Sequence, residues 1–214
     1  SGENIMRQEL PYFDIENSYG GNQEWFATLW MRLGGCAAET ACDSSIYLAL
    51  YKGKPKLYPC DAKHLTRRDY VEFSKVMRPY LKPRFSGIDR LEIYQEGLGK
   101  YLRDRGETGL QLLAWDGKKD LAATKMVIKQ QIDQGYPVPC LILNHANPDF
   151  EDYEWHWFLL TGYEETAAKF LVKAVTYSAW KWLDLAGLWN TGHTKKGGLI
   201  LFREAASASE ADKK

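Results

Sequence analysis

Small side chains recur at a helical spacing in the first quarter of the chain. From Ala37 to Leu48 they fall three or four residues apart, which predicts a helix that begins after Gly34-Gly35 and stops at Gly53. A helix face built from alanine and serine lets neighbouring elements approach closely. We therefore expect this helix to lie at the centre of the fold.

Further helical patterns follow this segment. One is capped by Thr66 or Asp69 and runs through Val76, a second covers 95–105, and a third covers 120–135 with a glycine at its end. Beyond residue 136 the apolar residues cluster in short runs, and this pattern is typical of strands.

Strand-like runs dominate the second half of the chain. The predicted strands are 110–115, 138–143, 156–163, 170–177 and 198–203. Because most helices precede the strands, this order predicts an α+β fold with a cleft between two lobes. We expect one domain over 1–203, with a helical lobe at about 20–110, a β-rich lobe at about 110–203 and a disordered tail at 204–214.

Composition narrows the possible partners. The 214 residues carry 28 basic and 28 acidic side chains, so the net charge of zero gives no reason to expect a nucleic acid. The apolar runs are much shorter than the ~20 residues of a membrane helix, which predicts no membrane span. The first residues lack the pattern of a signal peptide, which favours a cytoplasmic protein and leaves a secreted or cell-surface mature form open.

Disulfide and metal sites have little support in the sequence. Four cysteines are too few for a disulfide scaffold at this length, and none of them forms a CxxC pair. The acidic loop between His145 and His156 matches no standard ligand spacing, and we interpret it as a solvated loop beside the cleft. We therefore expect no metal and no organic cofactor.

Cys36 is the first candidate for chemistry. It stands after Gly34-Gly35 at the predicted first turn of the small-residue helix, where unpaired N–H groups and the helix dipole stabilise a thiolate. The same N–H groups could stabilise an oxyanion during acyl transfer. The alternative is a small buried side chain that only packs within the helix.

His156 is the second candidate. It lies between a polar loop and the apolar run HWFLLTGY, where an imidazole that faces a cleft can act as general base for a thiol. It follows Cys36 by 120 residues, and Cys/His sites are often distant in sequence and adjacent in space. The alternative is a hydrogen-bonded, inert histidine at the start of a strand.

Three segments resemble the papain-like cysteine peptidase superfamily, in particular its bacterial branch of bacteriocin-leader-processing peptidases. GGCAAETACDSSIYLA is similar to the nucleophile helix, IDQGYPVPCLILNHANPDFEDYEWHWFLLTGYE to the segment with the catalytic base, and FLVKAVTYSAWKWLDLAGLW to the strand that orients the histidine. The resemblance covers about 16–55 and 125–203. It implies a two-lobed papain-like fold, with a central nucleophile helix in the first lobe and an antiparallel sheet in the second. Cys36 then matches the nucleophile and His156 the base.

The resemblance also implies a glutamine upstream of the nucleophile that helps to bind the oxyanion. Gln23 is the candidate, although its distance of 13 residues from Cys36 exceeds the gap common among papain-like enzymes. Asn22 is an alternative, because either side-chain amide can donate to an oxyanion. Both residues could equally be surface amides of a loop.

The third catalytic position departs from the family pattern. Papain-like sites use Asn or Asp to hold the histidine tautomer, and the segment 174–178 contains neither. Thr176 is our candidate, because its hydroxyl can accept from the imidazole N–H, although it stabilises an imidazolium less than a carboxylate does. Ala37 also stands where the family often has a glycine.

Two functions from different classes follow from these residues. The first is a cysteine peptidase or related thiol amide hydrolase that acts on a peptide or protein with a Cys–His dyad or a degenerate triad. An acyltransferase would use the same dyad. The second is a catalytically impaired module that binds a peptide without cutting it, an alternative motivated by the missing Asn or Asp. The sequence leaves the oligomeric state open.

Overall fold

Helices and one antiparallel sheet build this chain, which is an α+β protein as predicted. The computed structural model describes residues 4–82 and 87–205. The helices are α1 (Leu29–Gly34), α2 (Cys36–Tyr51), α3 (Arg67–Met77), α4 (Leu91–Asp104), α5 (Leu121–Asp133) and α6 (Leu185–Trp189). The strands are β1 (Met6–Glu9), β2 (Asp14–Ile15), β3 (Ser18–Tyr19), β4 (Leu110–Asp116), β5 (Val138–Ile142), β6 (His156–Glu165), β7 (Phe170–Thr176), β8 (Ala179–Asp184) and β9 (Gly198–Glu204).

Strand β6 is the centre of the sheet. The strand order is β4-β9-β5-β6-β7-β8, and β1 also pairs with β6, while β2 and β3 form a separate hairpin. The β6–β7 register shifts between Leu160 and Gly162, and β1 pairs with β6 from Gly162 onward. His156, the first residue of β6, lies opposite Ile142 of β5. The sheet therefore places the candidate base at one end of its central strand.

Helix α2 is the central helix that the small-residue pattern predicts. Its residues from Ala37 to Leu48 are buried, and it contacts β6 and α3. Ser44 and Ser45 fit this buried position because their hydroxyls donate to carbonyl oxygens one turn earlier, at 2.7 and 2.8 Å. Gly35 precedes the helix, where a β-carbon would come within 2.9 Å of the Phe26 ring. A larger residue at that position would push the start of α2 away from its neighbours.

A tryptophan next to His156 anchors the helical region onto the sheet. Trp157 is buried, and its ring stacks on Tyr94 of α4 with centroids 4.3 Å apart. Its indole N–H donates to the carbonyl oxygen of Ile88 at 2.8 Å. Since a buried aromatic side chain with a satisfied N–H is a strong packing anchor, the backbone beside His156 is fixed by the core.

Several element boundaries differ from the predicted ones. Helix α4 begins at Leu91, four residues before the predicted start, and β1 and β8 were not predicted at all. The predicted tail began at residue 204, but Glu204 belongs to β9 and the N–H of Ala205 donates to Gly109 at 2.9 Å. The remainder of that predicted tail lies outside the described residues. Among the helices that the structure describes, none combines the length and apolar character needed to cross a bilayer.

Candidate functional site

Cys36 is the first residue of α2 and is partly buried. Three nearby backbone N–H groups favour its thiolate and lower the pKa of the thiol: that of Trp157 on β6, that of Ala37 and its own. The sulfur of the candidate nucleophile thus lies against the backbone of the residue that follows His156. The structure therefore brings the predicted helix start and the predicted strand start together.

The imidazole of His156 is held by a hydrogen bond at its edge and by an aromatic ring stacked on its face. It is 4% exposed, and its Nε2 lies 2.7 Å from Oγ1 of Thr176, the last residue of β7. The ring of Tyr177 stacks on the imidazole with centroids 5.0 Å apart and planes at 2°. Thr176 is thus placed where the sequence prediction put it, beside the imidazole.

Cys36 and His156, the two residues of the candidate dyad, are not hydrogen-bonded to each other. Among the hydrogen bonds of the described residues, the His156 ring bonds to Thr176 and none joins it to the Cys36 sulfur. Since Nε2 is engaged by the threonine hydroxyl, Nδ1 is the ring nitrogen left for a proton from the thiol. Catalytic hydrogen bonds are often long without substrate and shorten in the reacting complex.

Burial keeps both candidate groups neutral. It raises the pKa of the Cys36 thiol to about 11. The nearby Glu39 carboxyl group adds to this rise in pKa, while the backbone N–H groups oppose it. Burial also lowers the pKa of His156 to about 4. The resting pair is therefore thiol and imidazole, and not thiolate and imidazolium.

Gln23 is buried, and its side-chain amide is bonded to a backbone oxygen. It begins a short 3-10 helix, Gln23–Trp25, and its Nε2 donates to the carbonyl oxygen of Arg32 at 3.1 Å. Its Oε1 is buried and has no hydrogen-bond partner among the described residues. Asn22, the alternative, accepts from the N–H of Glu24 and caps the same short helix. The oxyanion role of Gln23 remains a prediction.

Glu39 is a residue of this site that the sequence analysis missed. It is 3% exposed on α2, and its carboxyl oxygens accept from the backbone N–H groups of Gln23 at 3.4 Å and Tyr177 at 3.3 Å. A signal existed, because three residues of helix turn by about 300°, which places Glu39 close to the face of Cys36.

A cavity borders the same turn. It measures about 470 Å³ and touches both Thr176 and Tyr177. Its other lining residues are Asp152, Tyr153, Ala174, Ala179, Trp180 and Lys181. The lining combines small side chains with aromatic rings, and it includes one acidic side chain, Asp152, and one basic side chain, Lys181. Such a hollow suits a flat or apolar side chain of a peptide.

The acidic loop before β6 is held by a hydrogen bond within it and by another to α6. His145 is buried, with its Nε2 2.9 Å from the carbonyl oxygen of Gly187, and its backbone N–H donates to Glu154 at 3.0 Å. Across residues 4–82 and 87–205, no group of three or more His, Cys, Asp or Glu side chains is arranged to hold a metal ion. His64 and His193 are exposed.

Comparison of this chain with protein-family models and with curated proteins found no match.

Proposed function

We propose that this chain is a papain-like thiol amide hydrolase with Cys36 as nucleophile, His156 as base and Thr176 as the residue that orients the base. In this proposal α2 belongs to the first lobe, the sheet forms the second, and a peptide lies between them. The observation that carries it is the bond between His156 Nε2 and Thr176 Oγ1, beside the Trp157 N–H that favours the Cys36 thiolate.

The neutral resting pair determines the order of the chemical steps. The thiol proton moves to Nδ1 of His156 as the sulfur attacks the carbonyl carbon of the substrate, so that a free thiolate does not accumulate. The N–H groups at the start of α2 stabilise the resulting oxyanion. The imidazolium then gives its proton to the leaving amine, and water hydrolyses the thioester that remains on Cys36. An acyltransferase would differ only in the acceptor of this last step.

Labelling with electrophilic peptides tests the dyad without knowledge of the substrate. We expect a set of peptidyl vinyl sulfones of varied sequence to label Cys36, because the thiol adds to the vinyl group while His156 relays the proton. His156→Ala should slow this labelling about 100-fold, the lower range for general base catalysis, and Thr176→Val by a smaller factor. Peptide mapping by mass spectrometry identifies the labelled cysteine. Equal rates in wild type and His156→Ala would remove the dyad.

A peptide-binding module without hydrolysis is the second candidate. The neutral pair and the hydroxyl at the third position favour it, because both weaken the stabilisation of an imidazolium. The cavity beside Thr176 supplies the binding surface that such a module needs. Under this proposal peptides bind the wild-type chain and no cleavage product forms.

Filling the cavity tests its use in either function. Ala179 lines the cavity and is exposed, so Ala179→Trp should occupy the space with little effect on stability. We expect the concentration of vinyl sulfone needed for half-maximal labelling to rise about tenfold, with the maximal rate unchanged. Lys169→Trp, at an exposed turn outside the cavity lining, serves as the control. An unchanged concentration dependence in Ala179→Trp would show that peptides bind elsewhere.

A further inference from the structure

A single buried carboxyl group joins the two segments that flank the candidate site. Glu39 lies one helical turn after Cys36, and its Oε1 accepts from the N–H of Tyr177 while its Oε2 accepts from the N–H of Gln23. These two partners are 154 residues apart in the chain. The hydroxyl of Tyr70 on α3 donates to the backbone oxygen of Glu39 at 3.3 Å. The carboxyl group is thus held by two backbone N–H groups, and the main chain of the same residue by a third donor.

The first of these segments is the β7–β8 turn, which holds the imidazole. Thr176 bonds the ring of His156 and Tyr177 stacks on it. Tyr177 and Ser178 both have positive φ, at 50° and 58°, a conformation that non-glycine residues keep only where the surroundings fix it. Ser178 also donates to the carbonyl oxygen of Gly21 at 3.4 Å. The position of the turn is therefore set partly by the N-terminal segment.

The second segment runs from Gly21 to the start of α2. The N–H of Gly21 donates to both carboxyl oxygens of Asp43, at 3.1 and 3.2 Å, so the next turn of α2 holds the same segment. Gln23 follows, and its side chain bonds to Arg32 in α1, the helix that leads into Gly35 and Cys36. A shift of Gln23 would therefore be transmitted to the residues that precede the nucleophile.

We propose that Glu39 is a positioning residue for the thiol chemistry: by accepting from Gln23 and Tyr177 together, it sets the distance between the N-terminal segment and the turn that holds His156. This role rests on the proposed function. Among the hydrogen bonds of the described residues none joins Glu39 to the imidazole, so Glu39 acts through Tyr177 and Thr176. It fixes where the imidazole lies relative to the sulfur on the preceding turn of α2.

Glu39 lies in surroundings that disfavour a carboxyl group, so packing alone does not explain its presence there. Burial raises the pKa of Glu39 well above its usual value, and the neighbouring Asp43 and Glu24 add to the rise, while the N–H groups of Gln23 and Tyr177 oppose it. Two carboxyl groups one helical turn apart in a buried face are unfavourable when ionised. An apolar residue would avoid that cost but would release both N–H groups.

Hydrogen exchange and a double-mutant cycle test this role together. The variants are Glu39→Ala, which removes both acceptors, Glu39→Gln, which keeps one, and Ile46→Val as a control that weakens the buried face of α2 elsewhere. We expect the amide exchange of Gln23 and Tyr177 to speed up about tenfold in Glu39→Ala, less in Glu39→Gln and not in Ile46→Val. Vinyl sulfone labelling of Cys36 should slow about tenfold in Glu39→Ala.

The cycle with His156→Ala separates positioning from general loosening. If Glu39 acts through the imidazole, Glu39→Ala should cause no further loss of labelling when His156 is already alanine. Unchanged exchange at Gln23 or Tyr177, or an equal loss of labelling in both backgrounds, would overturn the positioning role and leave the dyad standing. If His156→Ala alone leaves labelling unchanged, the proposed function fails and the role fails with it.

Discussion

Cys36→Ala should abolish every cleavage that the wild-type chain performs. Removal of the nucleophile of an acyl-enzyme mechanism lowers turnover by about 10³-fold or more. Without the sulfur no thioester can form, and the remaining N–H groups cannot attack the substrate. A peptide library incubated with each protein, followed by mass spectrometry of new termini, measures this loss. The stability should change little, since alanine suits the first turn of a helix and replaces a side chain of similar size. Thermal unfolding of both proteins checks this second part.

Cys60 provides the matched control for this variant. It is a free and partly buried cysteine in the connection between α2 and α3, away from the start of either helix. Cys60→Ala should keep every cleavage of the wild type. Products that persist in Cys36→Ala and vanish in Cys60→Ala would show that the nucleophile has been assigned to the wrong thiol. An absence of products from the wild type itself would favour the peptide-binding module.

Elements with a strong local period could be predicted from the sequence. Helix α2 begins where the glycine pair ends, α3 is capped by Thr66, whose hydroxyl accepts from the N–H of Asp69 at 3.1 Å, and α5 is capped by Asp120. In each case the signal lies within a few residues of the boundary. Strand β5 could be predicted equally well from the sequence, because its apolar run is continuous. The strand is buried throughout.

Elements without such a signal were missed. Arg90 precedes α4 and makes no side-chain capping bond, so nothing local marks the start of that helix. Strand β1 is exposed along its length and exists through its pairing with the far half of β6. The β7–β8 turn uses Tyr177 and Ser178 at positive φ, a conformation for which Asn and Gly are the usual sequence signals. Long-range contacts decide all three.

In the candidate site, too, some residues could be predicted from a local pattern and others depend on long-range contacts. Thr176 could be predicted because residues two apart on a strand share a face, and the segment offered no Asn or Asp instead. The helical spacing places Glu39 near the face of Cys36, but an acidic residue in a helix is usually taken to face solvent, which is why Glu39 was missed. Its partners, the N–H groups of Gln23 and Tyr177, come from opposite ends of the chain. Only the folded arrangement shows that one carboxyl group meets both.

His156 should make the folded protein sensitive to acid below pH 6.5. Its pKa is lowered by burial to about 4 from the usual 6.5, so between these values the unfolded chain binds the proton and the folded chain does not. Stability is therefore fully present above pH 6.5 and falls as the pH drops toward 4, by about 3 kcal/mol in total. Chemical denaturation of wild type across this range measures the loss.

His156→Gln isolates this contribution because glutamine does not titrate and can still bond Thr176. The pH dependence of the difference in unfolding free energy between the two proteins belongs to His156. This subtraction is needed because burial raises the pKa of Asp43 to about 6 and that of Glu39 well above its usual value. Those two acids bind protons more readily in the folded chain, so they add stability as the pH falls and mask the histidine. A difference that stays flat from pH 7 to 4 would mean that folding does not lower the pKa of the imidazole, and the acid sensitivity assigned to His156 would be wrong.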